Sequence, residues 1–277
     1  AGARRPMSSA DNLFERAGEC LFACEPEAKL ELTRAAAADW QSGRLGLDPA
    51  PDPEPPERVG RPARPDLVHP RKLARRGFAS EEGKAALLHA VAHIEFNAIN
   101  LALDAVCRFP QMPGAFVRDW LQVAAEEAKH FTLLQGRLGA LGFGYGDFPA
   151  HNGLWDMALR TGHDPLHRMA LVPRVMEARG LDVTPGMIRR FTDLGDQETA
   201  TVLGIILAEE VGHVAAGTRW FHYLCRQRGL EPEQTYFELL QAYLGDDIRC
   251  PLHLEARREA GFTDTELERL KALCVHP

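Results

Sequence analysis

Ala125-Glu126-Glu127-Ala128-Lys129-His130 and Ala208-Glu209-Glu210-Val211-Gly212-His213 are two copies of one short phrase, each set in a long and mostly apolar stretch. Both contain Glu-x-x-His. Residues i and i+3 share one face of an α-helix, so each copy aims a carboxylate and an imidazole in one direction. Pointed into an apolar interior, such a pair is costly unless something charged lies between the groups, and a metal ion meets that need. With 23 Glu and 11 His in 277 residues, about one Glu-x-x-His is expected by chance, so the motif alone decides little. Its setting decides more. Glu95 precedes Glu127 by 32 positions, and Glu177 precedes Glu210 by 33. A lone Glu followed by Glu-x-x-His is therefore repeated at nearly constant spacing.

The flanking pattern is helical throughout. Ser80, followed by Glu81, Glu82 and Gly83, is suited to cap a helix that runs to Arg108. Phe109 to Gly114 forms a turn, a second helix covers about Ala115 to Leu141, and the Gly142–Gly146 cluster ends it. A long crossing passes through His151 and Trp155. A third helix opens at Asp164-Pro165 and closes at Gly180, with Pro173 either kinking it or marking its true start. Thr184-Pro185 begins a shorter helix, and the last long one spans about Asp196 to Arg228, stopping at Gly229. Two peripheral helices follow, Glu231 to Leu244 and Asp264 to Leu273. No convincing strand alternation is present. The expected fold is all-α, with two antiparallel hairpins joined by a long crossover, as in a ferritin-like four-helix bundle.

The wheel positions turn the acids inward. Leu88, Val91, Ala92, Glu95, Ala98, Ile99 and Ala102 share one stripe, and Asp104 lies on the opposite side. Trp120, Val123, Ala124, Glu127, His130, Phe131 and Leu134 form the second stripe, and Leu203, Ile206, Glu210, His213, Val214 and Gly217 the fourth. Glu177 sits among Leu166, Ala170 and Pro173 on the third. Four converging carboxylates repel one another strongly, and these stripes carry no Lys or Arg to neutralise them. Two divalent cations would balance them. A single core Glu or His is more often satisfied by a neighbouring side chain, but four acids and two histidines together favour metal.

Outside this core the reading is plainer. Asp11 to Ser42 is expected to be helical and interrupted at Pro26. Eight prolines between Pro49 and Pro70 exclude regular structure, which leaves an extended wrap or a linker. The domain division expected is residues 1–79 for the N-terminal helical and Pro-rich extension, 80–229 for the bundle and 230–277 for the C-terminal extension. The net charge of −7 gives no general attraction for nucleic acid or anionic membrane. The basic run Arg58–Arg76 could bind phosphate, though a solvated loop is the better reading. No stretch approaches the roughly 18 uncharged residues of a membrane span, and no signal peptide is visible, so the cytoplasm is expected. The six cysteines, without Cys-x-x-Cys, read as free thiols; a zinc site on Cys20 and Cys24 lacks further ligands.

The whole pattern resembles the di-iron carboxylate branch of the ferritin-like superfamily over about Ala79 to Gly229. The stretch Val172-Pro-Arg-Val-Met-Glu-Ala-Arg-Gly-Leu-Asp182 also resembles a bacterial ferritin-like family of unassigned function, related to tRNA-modifying di-iron hydroxylases. The resemblance implies Glu95, Glu127, His130, Glu177, Glu210 and His213 as ligands. Glu127 and Glu210 would bridge, while Glu95 and Glu177 would be terminal. Glu177, so close to Gly180, departs from the usual mid-helix position. Glu126 and Glu209 are expected behind the ligands as supporting or salt-bridge residues. His89 and His93 are expected to bond a neighbouring helix, with a substrate or proton-relay role as the lesser reading. Trp120 and Trp220 are read as packing, and His151, His163 and His167 receive no role.

This donor set suits two iron ions, or manganese and iron, better than zinc, and leaves positions for O2. The expected activity is O2-dependent oxidation or hydroxylation of an organic molecule, a small molecule or a tRNA nucleoside, fed by an external electron donor. The alternatives are a ferroxidase or iron-handling protein, and a non-catalytic bundle stabilised by metal. About 130 residues outside the bundle favour the first, because they could wall a substrate pocket.

Overall fold

The computed structural model describes residues 12–48, 58–73, 77–245 and 248–275. Among these the protein is helical apart from one parallel pair of two-residue strands, β1 (Ile248–Arg249) and β2 (Cys274–Val275). The chain divides into two compact units, Ala1–Asn152 and Gly153–Pro277.

The first unit is built on a hairpin of α3 (Glu81–Arg108) and α4 (Gly114–Ala140), with α1 (Leu13–Phe22) packed on α3 and α2 (Pro26–Gln41) on α4. Ser80 caps α3 as its sequence predicts, its Oγ accepting from the Gly83 N–H at 3.0 Å, a bond whose loss costs about 1 kcal/mol. Asn12 does the same for α1, accepting from the Phe14 and Glu15 N–H groups. The break before Pro26 leaves carbonyls at the end of α1, and Lys29 satisfies them. Its buried ammonium donates to the Cys20 and Leu21 oxygens at 2.8 Å each. Burial drives the Lys29 pKa down to about 7.

Of the two readings open for the Pro-rich stretch, the described part is a wrap. Gly60 N–H donates to the Leu21 oxygen at 3.0 Å, and a Cβ at Gly60 would collide with the Phe22 carbonyl. Further on, the Val68 N–H donates to Ala150 O at 2.8 Å and the Ala150 N–H to Asp66 O at 3.0 Å. Pro49–Pro56, and Arg75 and Arg76 of the basic run, lie outside the described residues.

The second unit comprises α5 (Gly153–Arg160), α6 (Pro165–Leu171), α7 (Ala178–Asp193), α8 (Gln197–Arg228), α9 (Pro232–Leu244), α10 (Leu254–Glu259) and α11 (Asp264–Leu273). Here the sequence expectation needs correcting. Gly180 does not close the third helix, and Pro185 does not open a new one. A π-helical segment, Val172–Glu177, joins α6 to α7 without a break, and both Gly180 and Pro185 lie inside α7. Pro173 has no N–H and its ring crowds the preceding turn, so a local widening of the helix accommodates it. The ring then packs against α8 at Gly217, where a Cβ would overlap Pro173 Cβ and Cγ. Glu177 is thus in the middle of a continuous helical run rather than at its end.

The remaining boundaries follow from caps. Asp196 accepts from Thr199 N–H at the start of α8, and Gly229, at φ 66°, ends it in the left-handed conformation that glycine tolerates. Thr263 and Glu266 form a capping box on α11. The expectation of free thiols holds for Cys20, Cys24, Cys107 and Cys225 and fails for Cys250 and Cys274, which form a disulfide, their Cα atoms 5.5 Å apart. Pairing of β1 with β2 sets Cys274 opposite Ile248, within reach of Cys250 just past β1, which no spacing in the sequence reveals. By length and hydropathy α3 and α8 each contain a window apolar enough to cross a membrane, 78% buried in α3 and 44% in α8.

Candidate metal centre

In the first unit the two helices of the hairpin bring Glu95, Glu127 and His130 together. All three are buried, Glu127 and His130 completely. The stripe is held inward by its neighbours: Ala92, Ile99, Ala124, Phe131 and Leu134 are buried alongside. Burying one large apolar side chain contributes roughly 1.5–3 kcal/mol, so the packing of the hairpin fixes the direction of the acids. His130 Nδ1 lies 3.1 Å from Oε2 of Glu95 and 3.3 Å from Oε2 of Glu127. One ligand atom from each of the three falls within 4.8 Å of the others, the compass of a single metal ion.

Electrostatics say what this grouping lacks. Burial and then the Glu127 charge push the Glu95 carboxyl up to about 8. At His130 burial acts to lower the pKa but is outweighed by the hydrogen bonds to Glu127 and Glu95, and the net result is about 11. Both shifts favour bound protons, a neutral Glu95 and an imidazolium at His130 beside Glu127. A second buried acid on α3 shows the contrast. Asp104 meets Arg108 one turn on, Nη2 to Oδ1 at 2.8 Å, and is an ordinary buried ion pair.

The second unit carries the matching elements. Glu210 and His213 are buried on α8, with His213 Nδ1 3.5 Å from Glu210 Oε1, longer than a good hydrogen bond. Glu210 Oε2 is buried with no hydrogen-bond partner among the described residues. Such an oxygen is costly to leave unmade, by roughly 1–3 kcal/mol. Glu177 is buried at the end of the π-helical segment, which packs against α8. The one Arg of that segment, Arg174, is spent elsewhere: it pairs with Glu266 at 2.7 Å and lies over the rings of Phe221, Tyr236 and Phe262.

The oxygen-rich donor set with imidazole fits a hard-to-borderline divalent metal. Glu126 and Glu209 are half-buried beside the ligand positions, and Glu126 accepts from Gln122 Nε2 at 2.7 Å on its own helix. Trp120 and Trp220 are buried. His167 bonds Tyr243 and meets the His163 ring edge-on, away from any cluster of ligands among the described residues.

Sequence reasoning missed a second polar group in the first unit. Arg61, read only as one of a basic run, donates to Asn97 Oδ1 at 2.9 Å and to Asn152 Oδ1 at 2.5 Å. Asn97 in turn contacts His93, whose other nitrogen meets the Tyr145 hydroxyl at 2.8 Å. His89 Nε2 accepts from the Gly146 N–H at 2.9 Å, so both histidines meet the turn after α4 rather than the neighbouring helix expected. Asn97 and Tyr145 carried no periodic signal that could have found them.

Comparison with known proteins adds a family but no activity. A family model described as "Protein of unknown function (DUF455)" matches residues 22–268. An uncharacterized protein of Haemophilus influenzae is 47% identical over 232 residues, 81% of each chain. No solved structure matches the chain.

Proposed function

The chain belongs to the DUF455 family, and we propose that it is a di-metal carboxylate protein of ferritin-like architecture that activates O2 to oxidise or hydroxylate an organic substrate. The observation that carries this reading is the convergence of Glu95, Glu127 and His130 in one buried cluster, a ligand atom of each within 4.8 Å of the others. The second Glu/Glu-x-x-His set supports it: Glu210 and His213 repeat the side-by-side placement on α8, and Glu177 is buried on the element packed against it. In this proposal Glu95, Glu127, His130, Glu177, Glu210 and His213 are the ligands.

When bound, a pair of iron ions, or of manganese and iron, supplies the redox chemistry by which such centres use O2. The residues of this chain have separate tasks. Glu95 would give up its proton and, with Glu127, Glu177 and Glu210, offer carboxylate oxygens to the metals, and His130 and His213 would add an imidazole each. Phe96 and Phe131, each next in sequence to a ligand, pack ring against ring with centroids 5.4 Å apart and keep water from the first-unit cluster.

The test is oxygen consumption by protein loaded anaerobically with Fe(II). A site of this kind retains its metals after one oxidation and takes up no excess Fe(II). Repeated rapid turnover of added Fe(II), with a ferric core accumulating, would instead identify an iron-handling protein.

A further inference from the structure

Arg174 lies inside the π-helical segment Val172–Glu177, is completely buried, and is tied to the C-terminal part of the chain. We propose that it is a positioning residue for the metal centre: by joining the segment to α9 and α11, it holds the π-helical register that sets which way Glu177 faces. This rests on the di-metal reading, because it takes Glu177 as a ligand, and it gives the C-terminal helices a part in the site.

The widened turn needs a cause. π-Helical backbone is rare, and Pro173 alone does not demand it, since a proline is commonly accommodated by a kink. Each residue of an α-helix turns the chain by about 100°. A π turn holds one residue more than an α turn, so side chains beyond it are set back by about that angle from their places in an unbroken α-helix. Glu177 is the last residue of the segment. Its direction therefore depends on whether the extra residue is kept.

The segment is held from two sides. On one, the Pro173 ring sits at Gly217 of α8. On the other, Arg174 Nη2 donates to Glu266 Oε1 at 2.7 Å. Its guanidinium lies 4.1 Å from the ring centroid of Tyr236, 4.5 Å from that of Phe262 and 4.9 Å from that of Phe221. The Tyr236 hydroxyl donates to the Arg174 carbonyl oxygen at 3.2 Å, so α9 grips the backbone of the segment as well as its side chain. Glu266 is itself fixed, its other oxygen accepting from the Thr263 N–H in the capping box of α11. Beyond Glu177 the helical run is anchored again. Arg179 donates to the carbonyl oxygens of Arg249 and Cys250 at 3.1 Å and of Pro251 at 2.9 Å, and Asp182 pairs with Arg257 at 2.7 Å. Glu177 lies between these two sets of anchors.

The chemistry of Arg174 argues for placement rather than stability. Its Nε and Nη1 have no hydrogen-bond partner among the described residues. A buried ion pair with unmet donors is a poor source of stability, and apolar side chains of similar volume often serve better. What the guanidinium adds is a rigid planar fork that must meet a carboxylate and stacked rings at once. Methionine would fill the same space with a flexible chain and fix no register.

The experiment uses the full chain carrying Arg174→Met/Glu266→Gln, which removes both charges together and keeps an oxygen at 266 for the capping box. Arg168→Met controls for lost stability alone, since Arg168 is also buried in this unit but bonds Thr161 and Ala158. Each protein is titrated with Mn(II), the free ion being read by electron paramagnetic resonance, and hydrogen exchange is followed separately without metal. Wild type and Arg168→Met should bind two Mn(II), whereas the double variant should hold one of them about tenfold or more weakly. Residues 172–178 should exchange about tenfold faster in the double variant, with residues 206–213 of α8 unchanged. Two ions bound as tightly as in wild type, an equal weakening in Arg168→Met, or unchanged exchange at 172–178 would each overturn the proposal. Wild-type protein that binds no Mn(II) would sink the di-metal reading and the task of Glu177 with it, while the exchange result would still tell whether Arg174 holds the segment.

Discussion

His130 Nδ1 and Oε2 of Glu95, 35 residues apart in the chain, lie 3.1 Å from each other across the α3/α4 hairpin. Helical periodicity alone could not give that contact, since it concerns two helices and depends on their rotation. It means that the stripe on α3 and the stripe on α4 face one another at the level of their polar residues. From it follow the electrostatic consequences below.

Metal-free protein should become less stable as pH rises above about 5. Glu95 moves from an ordinary 4.5 to about 8 on folding, and His130 from 6.5 to about 11. Both groups bind protons more tightly folded than unfolded, so stability falls with pH across those intervals. The melting temperature at pH 8.5 should lie below that at pH 5.5, and Glu95→Gln should flatten the difference. A melting temperature that climbs over this range would contradict the proton-holding cluster.

Removing an imidazole should separate ligation from folding. His130→Ala and His213→Ala are each expected to lose one metal position, seen as about half the metal content by elemental analysis, with helical circular dichroism largely intact. Glu126→Gln and Glu209→Gln should keep their metal and change only its reactivity. If these two lose metal as fully as the histidine variants, the ligand register assigned here is one residue out.

Much of this was legible because the signals were local. The caps at Ser80, Asp196 and Gly229, the break at Pro26 and the stripes around Glu127 and Glu210 are all written in neighbouring residues, and the helices follow them. The third helix was misread because Gly180 and Pro185 are local stop signals that tertiary packing overrides. Pro173 seated on Gly217 holds the widened turn, and the helix runs on. The Cys250–Cys274 bond and the Arg61–Asn97–His93–Tyr145 chain were invisible for another reason: each joins distant segments whose meeting is decided by packing alone.

That seat can be tested by its smallest perturbation. Gly217→Ala should cost about 1–3 kcal/mol by pushing Pro173 away, lowering the melting temperature by on the order of 5 °C. Gly212→Ala on the same helix meets nothing within 4 Å. It should be neutral or gain up to about 1 kcal/mol from helix propensity. Equal effects of the two would remove the packing explanation for the π-helical segment.

The disulfide closes a loop of 24 residues' separation. Chain entropy then predicts a loss of roughly 3 kcal/mol in Cys250→Ser/Cys274→Ser or on reduction. Limited proteolysis should show the loss as earlier cleavage around α10 and α11, with the first unit unaffected. Unchanged protection after reduction would mean that the bond contributes nothing to holding the C-terminal helices.

Metal stoichiometry tests the central claim most directly. Protein produced with iron and manganese available, and purified without chelator, should carry about two such ions per chain by elemental analysis, as a carboxylate di-metal bundle does. The Glu95→Gln/Glu210→Gln variant should carry far less. A single stoichiometric zinc, or no metal at all in protein reloaded anaerobically with Fe(II), would contradict it.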